Sequence, residues 1–446
     1  MSQSIITLGG ASRRSFIANC AAAASLPLLS GLPVNVFAAG DSKPLKVGVI
    51  GAGGRGSGAV ADILEASKLS KIPVQIWAVG DAFMKSAKGL GERRGVPAER
   101  IFDGLDNHLK VLETGVDVVI LTAPPGYRPQ HFKAAVEKGV HVFAEKAVAV
   151  DPFGVAQFIK DGEIAAQKKL SVVAGTQRRH QKHYVEAIKR IRDGEIGEIV
   201  SGQVYWMGGE LWHRGGTDIT DLQYQLRNWL YFTWLSGDHI VEQHVHNIDI
   251  ANWAIGANPV NANAMGGRQV RVLKKYGDAF DHFSVDYEYP NGVRILSFCR
   301  QSNNTSSNVS ERFVGTKGVV ELSSSGGSLR LHGSSDRKKF GGGINGYVQE
   351  HIDLLESITG KGPYLNEART VAESTLAGVM GRMSAYTGGR LSWNFVVKSS
   401  LNLFPENLNG FGPGTAPGVR VAIPGKTRVT DVAPFGKYVP NDNYGA

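Results

Sequence analysis

The stretch KVGVIGAGGRGSG, residues 46–58, decides the fold of this chain. Residues 46–50 form a short apolar run, which predicts a buried β-strand. The run leads directly into the pattern G-x-G-x-x-G at Gly51, Gly53 and Gly56. Apolar residues with helical spacing follow, namely Ala59, Val60, Ile63 and Leu64. A strand, this glycine pattern and a helix, in that order, predict a turn at which a helix N-terminus faces bound phosphate groups.

The three glycines each have a separate task in such a turn. Gly51 permits the tight bend, Gly53 lets the backbone approach a pyrophosphate, and Gly56 lets the helix pack closely against the strand. The stretch is therefore interpreted as a dinucleotide site. The residues expected to contact the nucleotide here are Gly51, Gly53, Gly54, Arg55 and Gly56.

A second apolar run, residues 74–79, ends at Gly80 and Asp81. An acid at the end of the second strand accepts hydrogen bonds from the ribose hydroxyls, and its charge repels a 2′-phosphate. Asp81 therefore favours NAD over NADP as the cofactor. Its distance from Gly51 exceeds the usual spacing of about 20 residues. The alternative is that Asp81 serves only in a turn or as a helix cap.

Apolar runs and helical patterns alternate along the chain as far as residue 178. This alternation predicts an α/β fold with a doubly wound parallel sheet, the Rossmann arrangement. Ligands bind at the carboxyl ends of the strands of such a sheet. The residues at these ends are Thr122, Pro124, Glu145, Lys146, Gln177 and Arg178. We expect the first four of them to line the cofactor site.

The first 39 residues are predicted to be a signal peptide of the twin-arginine type. Arg13 and Arg14 precede an apolar run at residues 16–29, and the small residues of VFAAG follow at 36–40. The apolar run is too short to span a membrane, so no membrane insertion is expected. A periplasmic or secreted protein is predicted, and the alternative is a disordered leader on a cytosolic protein.

The composition of the 446-residue chain is that of a soluble globular protein with more than one domain. The formal net charge is +9, but no block of five or six lysines and arginines occurs, so nucleic-acid binding has no local support. Of the two cysteines, Cys20 lies in the predicted signal and leaves Cys299 alone. A disulfide within the mature chain is therefore not expected.

Four stretches together resemble the Gfo/Idh/MocA family of NAD(P)-dependent oxidoreductases over about residues 45–395. They are VGVIGAGGRG, LTAPPGYRPQHFKAAVEKGVHVFAEK, SGDHIVEQHVHNIDIANW and FVGTKGVVEL. The resemblance implies a small-molecule substrate such as a sugar, cyclitol or related polyol, and a homo-oligomer, either a dimer or a tetramer. It also implies that a C-terminal α+β domain, built on a large and mainly antiparallel open sheet, follows the Rossmann domain.

The chain is therefore divided into four parts. They are the signal peptide (1–39), the Rossmann domain (44–178), the C-terminal substrate and oligomerisation domain (179–395), and a tail rich in glycine, proline and asparagine (396–446). Two β-hairpins are predicted in the C-terminal domain, one at residues 281–301 and one at residues 312–322, because alternating runs flank turn residues there.

Glu145 and Lys146 match the Glu-Lys-Pro motif of the family, with Ala147 in place of the proline. The resemblance implies that Lys146 lies beside the nicotinamide and the reacting hydroxyl. A cation at a strand end stabilises the alkoxide that develops as hydride leaves an alcohol carbon. Lys146 is therefore a candidate catalytic residue, and the alternative is a solvated lysine at a strand end.

Glu242 and His246 match a second motif of the family, an aspartate four residues before a histidine, with glutamate replacing the aspartate. Four residues make about one helical turn, so both side chains are expected to face one cleft from one helix. His246 suits a general base at neutral pH, and Glu242 can orient it or share the substrate hydroxyls. Asp249 lies on the same stripe. The alternative is a structural acid–histidine pair on a buried helix.

Aromatic faces beside polar groups suit the apolar faces of sugar rings, and the stretch RNWLYFTWLSGDH, residues 227–239, supplies both. The residues predicted to contact the substrate are Arg178, Tyr231, Trp234, His239 and His244. His244 stands where the family often has glycine. Glu242 with His246 offers two metal ligands without an obvious third, so no metal is predicted.

The leading functional hypothesis is an exported NAD-dependent oxidoreductase that transfers hydride between nicotinamide and a secondary hydroxyl of a sugar or polyol. Lys146, Glu242 and His246 would manage the proton. The alternative is a glycoside hydrolase or lyase of the same fold, which uses bound NAD through a keto-sugar and shows no net redox change. A third hypothesis, a non-catalytic sugar or cofactor sensor, conflicts with the presence of these three residues.

Overall fold

The computed structural model describes residues 43–408 and 410–428. The predicted signal peptide and the last part of the predicted tail lie outside the described residues. Within the described ranges, no helix has both the length and the apolar character that a membrane crossing requires.

The first sheet has six strands and is parallel throughout. Its strands are β1 (Leu45–Ile50), β2 (Val74–Gly80), β3 (Ile101–Phe102), β4 (Val118–Leu121), β5 (His141–Ala144) and β6 (Val172–Ala174). Their order in the sheet is β3-β2-β1-β4-β5-β6. Every residue of β4 and β5 is buried, which explains why their sequences are nearly continuous apolar runs. The predicted doubly wound α/β sheet is confirmed.

Helices connect the strands of this sheet and follow its last strand. They are α1 (Gly54–Ser70), α2 (Met84–Gly91), α3 (Asn107–Glu113), α4 (Arg128–Lys138), α5 (Pro152–Gln167) and α6 (Lys182–Arg192). The turn from β1 into α1 needs glycine at two positions. Gly51 has a φ of +98°, and a Cβ on Gly56 would lie 1.9 Å from the carbonyl oxygen of Gly51. The close helix–strand packing expected from the glycine pattern is therefore present.

The second sheet has nine strands. They are β7 (Ile199–Gly208), β8 (Asn261–Gly267), β9 (His282–Glu288), β10 (Arg294–Gln301), β11 (Asn308–Gly315), β12 (Gly318–Ser323), β13 (Gly326–Leu331), β14 (Lys338–Phe340) and β15 (Leu391–Ser392). Their order is β14-β13-β12-β11-β7-β10-β9-β8-β15. β7 and β10 pair in parallel, whereas the other described pairs are antiparallel. The mainly antiparallel second sheet and both hairpins, β9–β10 and β11–β12, agree with the prediction.

The remaining helices lie between and after these strands in the chain. They are α7 (Leu222–Arg227), α8 (Thr233–Ser236), α9 (His239–Glu242), α10 (Val245–Ile255), α11 (Gly346–Thr359), α12 (Ala368–Thr387) and α13 (Trp393–Val397). α11 packs on α1, and α12 packs on α5 and on β8. α12 therefore joins the second sheet to the helical layer of the first, whereas α11 belongs to that layer.

Helix α12 lies in the shared core, and small residues allow its close packing. A Cβ on Gly381 would lie 2.3 Å from the phenol oxygen of Tyr287, a residue of β9. Tyr287 donates a hydrogen bond to the carbonyl of Ala377 in the same helix at 2.8 Å. The glycine thus lets the strand and the helix approach closely enough to satisfy a buried phenol.

After α13 the chain runs back towards the first sheet. The backbone N–H of Leu403 donates to the carboxylate of Asp151 at 2.7 Å, and Asp151 also caps α5. The N–H of Ala416 donates to the carbonyl of Thr220 at 2.9 Å. The described part of the predicted tail therefore packs on its own subunit.

Candidate active site

A cavity of about 710 Å³ lies at the carboxyl ends of β1, β2 and β4. Most of the residues predicted to bind the cofactor line it: Gly51, Gly53, Gly54, Arg55, Gly56, Asp81, Thr122 and Pro124. They come from three separate strand ends of one parallel sheet, which is where doubly wound folds bind their ligands.

The glycine turn offers backbone N–H groups to this cavity. A Cβ on Gly53 or Gly54 would meet no atom within 4 Å, so a ligand can approach the main chain there. Gly53 caps α1 without a side-chain bond, and the first turn of α1 contains no acid. The unpaired N–H groups and the helix dipole therefore favour an anion, which fits the pyrophosphate of a dinucleotide.

Asp81 follows β2 and is fixed by two backbone hydrogen bonds. Its carboxylate accepts from the N–H of Ala52 at 2.7 Å and from the N–H of Phe83 at 2.9 Å. Burial raises the pKa of Asp81, and the two N–H groups oppose that shift. Asp81 therefore both holds the glycine turn and presents an acceptor to the cavity, which fits a ribose diol.

Thr122 joins the end of β4 to the glycine turn. Its hydroxyl donates to the carbonyl of Gly51 at 2.6 Å. Pro124 follows two residues later and lines the same cavity. The end of β4 is thus fixed directly against the end of β1.

A second cavity of about 220 Å³ shares Arg55, Thr122, Ala123 and Trp229 with the first. It contains the three predicted catalytic residues, Lys146, Glu242 and His246, together with Glu145. Because two cavities that share wall residues adjoin, groups bound in them are close neighbours. We call them the nucleotide cavity and the catalytic cavity.

Lys146 enters the catalytic cavity from the loop after β5. Its Nζ lies 2.9 Å from Oε1 of Glu242 and also donates to the carbonyl oxygen of Glu242. Both side chains are 13% exposed, so this ion pair is largely shielded from water. The Lys146–Ala147 peptide bond is cis, and Ala147 is buried. Lys146 lines the cavity although the family's proline is absent.

Glu242 and His246 face the same cavity from two helices. α9 ends at Glu242 and α10 begins at Val245, with a turn at Gln243 and His244 between them. The expectation of one continuous helix is therefore wrong, because the chain is interrupted between the two residues. The expectation that both residues face one cleft agrees with the structure.

His246 stacks on Trp206 of β7, with ring centroids 5.7 Å apart. Burial lowers the pKa of His246 well below its usual range, and the positive charges of Lys146, Arg178 and Arg55 lower it further. The imidazole is therefore neutral at physiological pH, which is the form that accepts a proton.

Glu145 forms an ion pair with Arg55, and its other oxygen accepts from the backbone N–H of Lys146 at 3.2 Å. Its Oε1 lies 2.7 Å from Nε of Arg55, and Nη2 of the same arginine lies 2.8 Å from Asp62. The guanidinium also lies over the ring of Tyr347, 4.8 Å from its centroid. Glu145 thus ties the loop after β5 to the first turn of α1, where both cavities meet.

Two family models match the chain. The model described as "Oxidoreductase family, NAD-binding Rossmann fold" matches residues 45–188, and the "GFO/IDH/MocA C-terminal domain" matches residues 184–321. The chain belongs to the Gfo/Idh/MocA oxidoreductase family. Its first sheet is therefore an NAD-binding Rossmann domain, which agrees with the predicted cofactor.

Known proteins similar to this Gfo/Idh/MocA chain include a dehydrogenase and two solved oxidoreductases. The inositol 2-dehydrogenase of Rhizobium meliloti (strain 1021) is 23% identical over 52% of this chain and 62% of its own length. The aldose-aldose oxidoreductase of Caulobacter crescentus has a TM-score of 0.63 and 19% identity, covering 78% of this chain and 100% of that one. A levoglucosan dehydrogenase solved with NADH and levoglucosan has a TM-score of 0.65 and 17% identity, covering 78% and 99%.

The predicted substrate contact of Arg178 requires correction. Arg178 is 3% exposed and forms an ion pair with Glu311, whose side chain is fully buried. Its guanidinium also lies over the ring of Trp206, 5.6 Å from the centroid. Arg178 therefore supports the wall residue Trp206 from behind and lines neither cavity.

Tyr231 and Trp234 also lie away from the two cavities and pack in the core. The phenol of Tyr231 donates to the carbonyls of Leu211 and Trp212, and the indole of Trp234 donates to Gln225 at 2.6 Å. Both side chains are at most 1% exposed. The prediction that they contact the substrate is wrong for that reason. Trp229, from the same stretch, lines both cavities instead.

His239 and His244 are fully buried away from the cavities. Nδ1 of His239 lies 3.2 Å from the carboxylate of Asp238, and Nε2 of His244 lies 2.7 Å from the hydroxyl of Ser297. Burial lowers the pKa of His244 to about 3. The predicted substrate contacts of both histidines are therefore wrong.

Asp249 is structural as well. It binds the guanidinium of Arg179 through both of its oxygens and accepts from the hydroxyl of Ser374 at 2.7 Å. Among the described residues, no group of three or more histidine, cysteine, aspartate or glutamate side chains is arranged to hold a metal ion.

Trp206 and Tyr347 also line the catalytic cavity, and the sequence predicts neither of them as a site residue. Trp206 lies in the aromatic run of β7, which follows the Rossmann sheet directly. Tyr347 lies in the first turn of α11, and its phenol oxygen accepts a hydrogen bond from Nε2 of Gln177 at 3.1 Å. No local pattern marks Tyr347, because only the packing of α11 on α1 brings it to the site.

Proposed function

We propose that the protein oxidises a secondary hydroxyl of a sugar or polyol, with NAD as cofactor, and catalyses the reverse reaction. The observation that carries this proposal is the convergence of Lys146, Glu242 and His246 on one small cavity that adjoins the nucleotide cavity. A positive group, an acid and a neutral imidazole are the groups that alcohol oxidation needs beside a hydride acceptor.

NAD, when bound, supplies the acceptor for the hydride that leaves the alcohol carbon. The ammonium of Lys146 stabilises negative charge on the substrate oxygen as its proton departs. The neutral imidazole of His246 accepts that proton, and Glu242 holds the ammonium of Lys146 in place through their 2.9 Å contact. In the reverse reaction the same groups return a proton to the carbonyl oxygen.

The names of similar proteins support a polyol or sugar substrate for this chain. One is an inositol dehydrogenase, one a levoglucosan dehydrogenase and one an aldose-aldose oxidoreductase. Trp206 and Trp229 add aromatic surface to the catalytic cavity beside its polar groups, which suits the apolar faces of sugar rings. His244, the extra acid or base considered for glycoside cleavage, is buried against Ser297, so alcohol oxidation remains the better supported proposal.

The proposal is tested by supplying the purified protein with NAD and a panel of inositols, levoglucosan, free aldoses and aryl glycosides. Absorbance of NADH and release of the aryl group are followed together. Formation of NADH on a polyol or sugar, without aryl release, is the expected result. Aryl release that requires NAD but produces no NADH would instead establish the redox-neutral glycosidase.

We also propose that the protein is exported by the twin-arginine route. This proposal rests on Arg13, Arg14 and the apolar run after them.

We further propose that the protein forms a homo-oligomer, either a dimer or a tetramer. The outward face of the second sheet carries the stacked rings of Tyr205 and Phe298, which offer an apolar surface for such a contact.

Replacing Tyr347 by phenylalanine is expected to lower kcat/KM for the alcohol substrate. Burial raises the pKa of Tyr347, so the phenol keeps its proton. Since its oxygen already accepts from Gln177, that proton is available to a substrate oxygen in the cavity. Loss of one such hydrogen bond corresponds to about tenfold in kcat/KM.

The matched control is Tyr364→Phe, because Tyr364 is about half exposed and donates to the carbonyl of Leu170 far from both cavities. Steady-state kinetics of the two variants are compared with the wild type, with NADH affinity measured by fluorescence. Equal kcat/KM for Tyr347→Phe and wild type would remove Tyr347 from the substrate site.

The pH profile of alcohol oxidation is expected to stay flat where an ordinary histidine base would titrate. A base with the usual histidine pKa of about 6.5 loses about tenfold in its neutral form between pH 8 and pH 5.5. Because burial and the neighbouring cations lower the pKa of His246, its neutral form persists through that window. Measuring kcat/KM from pH 8 to pH 5.5 checks this, and a tenfold fall that disappears in His246→Gln would contradict it.

A further inference from the structure

The nucleotide cavity has two walls from distant parts of the chain. One wall is the Rossmann sheet, with its glycine turn, Asp81, Phe83 and Tyr127. The other is residues 209–231, which we call the wall segment and which contains α7. Its residues that line the cavity are Trp212, Arg214, Leu226, Arg227 and Trp229. A nucleotide in this cavity would lie between the two walls, so their spacing affects how firmly it is held.

The tail is bonded to the wall segment around the start of α7. Five hydrogen bonds join residues 412–417 to residues 220–225, four of them at the backbone N–H groups of Leu222, Gly412, Gly414 and Ala416. The acceptor for the N–H of Gly412 is the carboxylate of Asp221, which also caps α7. The position of α7, and of Arg227 at its end, thus depends on the tail.

The tail also contacts the Rossmann wall directly. Phe411 stacks on Phe83, with ring centroids 5.6 Å apart, and Phe404 meets Tyr127 edge to face at 5.0 Å. Phe83 and Tyr127 both line the nucleotide cavity. Arg227 of the wall segment lies over the ring of Phe83 as well, 5.3 Å from its centroid. Phe83 is therefore where both walls and the tail meet, two residues after Asp81.

We propose that residues 401–408 and 410–417 of the tail fasten the wall segment against the Rossmann wall and thereby hold NAD in place between successive turnovers. The tail is then part of the cofactor site, although it lies beyond residue 321, where the family models end. The inference rests on NAD being the ligand of the nucleotide cavity and does not depend on which alcohol is oxidised. An exported enzyme with a retained cofactor would not need free NAD in its surroundings.

The test is the rate at which NADH leaves the full-length protein. The protein is loaded with NADH and mixed rapidly with excess NAD, and the loss of bound NADH fluorescence gives the dissociation rate. Phe411→Ala removes the ring that stacks on Phe83, and dissociation is expected to become about tenfold faster. The matched control is Phe395→Ala, since Phe395 is an exposed ring on α13 that lines neither wall.

A second variant, Thr415→Val, guards against a folding defect. It removes the hydroxyl that accepts from the N–H of Leu222 at 3.1 Å and donates to the carbonyl of Gly412 at 2.6 Å, while the side chain keeps its size. Circular dichroism checks that each variant is folded. Release rates for Phe411→Ala and Thr415→Val within twofold of the wild type would overturn the proposal. A wild type that releases NADH faster than it turns over would overturn it too, whereas failure to bind NADH would contradict the proposed function instead.

Discussion

Replacing Lys146 by methionine is expected to lower kcat/KM for alcohol oxidation by about a thousandfold, the upper range for loss of one group that stabilises a developing oxyanion. Methionine keeps most of the volume of the side chain but removes the positive charge. That charge lies 2.9 Å from Glu242 inside the catalytic cavity, and the Lys146 side chain is only 13% exposed. Because little water reaches the site, no solvent dipole replaces the lost ammonium.

The same substitution separates catalysis from cofactor binding. Lys146 lines the catalytic cavity, whereas the glycine turn and Asp81 line the nucleotide cavity. NADH affinity of Lys146→Met is therefore expected to stay within a few-fold of the wild type. Lys189→Met is the control, since Lys189 is exposed and pairs with Asp193 on the surface of α6. Activity of Lys146→Met within tenfold of the wild type would refute the assigned role.

The parts of the site that the sequence predicts are those whose geometry is local or set by topology. The glycine turn lies within one short stretch, so its geometry is determined by residues that are adjacent in the sequence. Thr122, Glu145 and Lys146 follow strands of one parallel sheet, so the topology brings their positions together. For such residues the order of strands and helices is sufficient information.

The wrong predictions concern residues whose side-chain direction is set by a short irregular segment of the chain. Trp229 and Tyr231 belong to one turn of 3₁₀ helix, yet Trp229 reaches the cavities and Tyr231 is buried. His244 and His246 are similarly separated by the interruption between α9 and α10. A tryptophan or histidine pattern does not reveal which neighbour faces the core, because packing from elsewhere in the chain decides it.

Arg178 illustrates a different reason. It lies at a strand end, where an arginine is typical of an anion or substrate contact. Its partner Glu311 is 133 residues later in the chain, on β11 of the second sheet. Pairing between distant residues leaves no signal in the spacing of either one. The function of Arg178 is thus to join the two sheets behind the catalytic cavity.

Replacing Glu311 by glutamine is expected to destabilise the protein by about 3–5 kcal/mol, because it leaves the buried guanidinium of Arg178 without a counter-charge. The carboxylate is fully buried and also accepts from the phenol of Tyr184 at 3.0 Å and from the amide of Asn247 at 2.6 Å. Burial raises the pKa of Glu311 and the charge of Arg178 opposes that shift, so each group depends on the other.

Urea unfolding of the full-length protein measures this loss, and Glu321→Gln on the adjacent strand is the matched control. Glu321 is about half exposed and pairs with Arg337 at 3.0 Å, so its replacement is expected to cost at most about 1 kcal/mol. A double variant, Arg178→Met with Glu311→Leu, removes both charges and is expected to recover most of the stability. An equal cost for Glu311→Gln and Glu321→Gln would show that the buried pair is no more important than a surface one. The activity of Glu311→Gln is expected to fall as well. Arg178 supports Trp206, and Trp206 in turn stacks on His246.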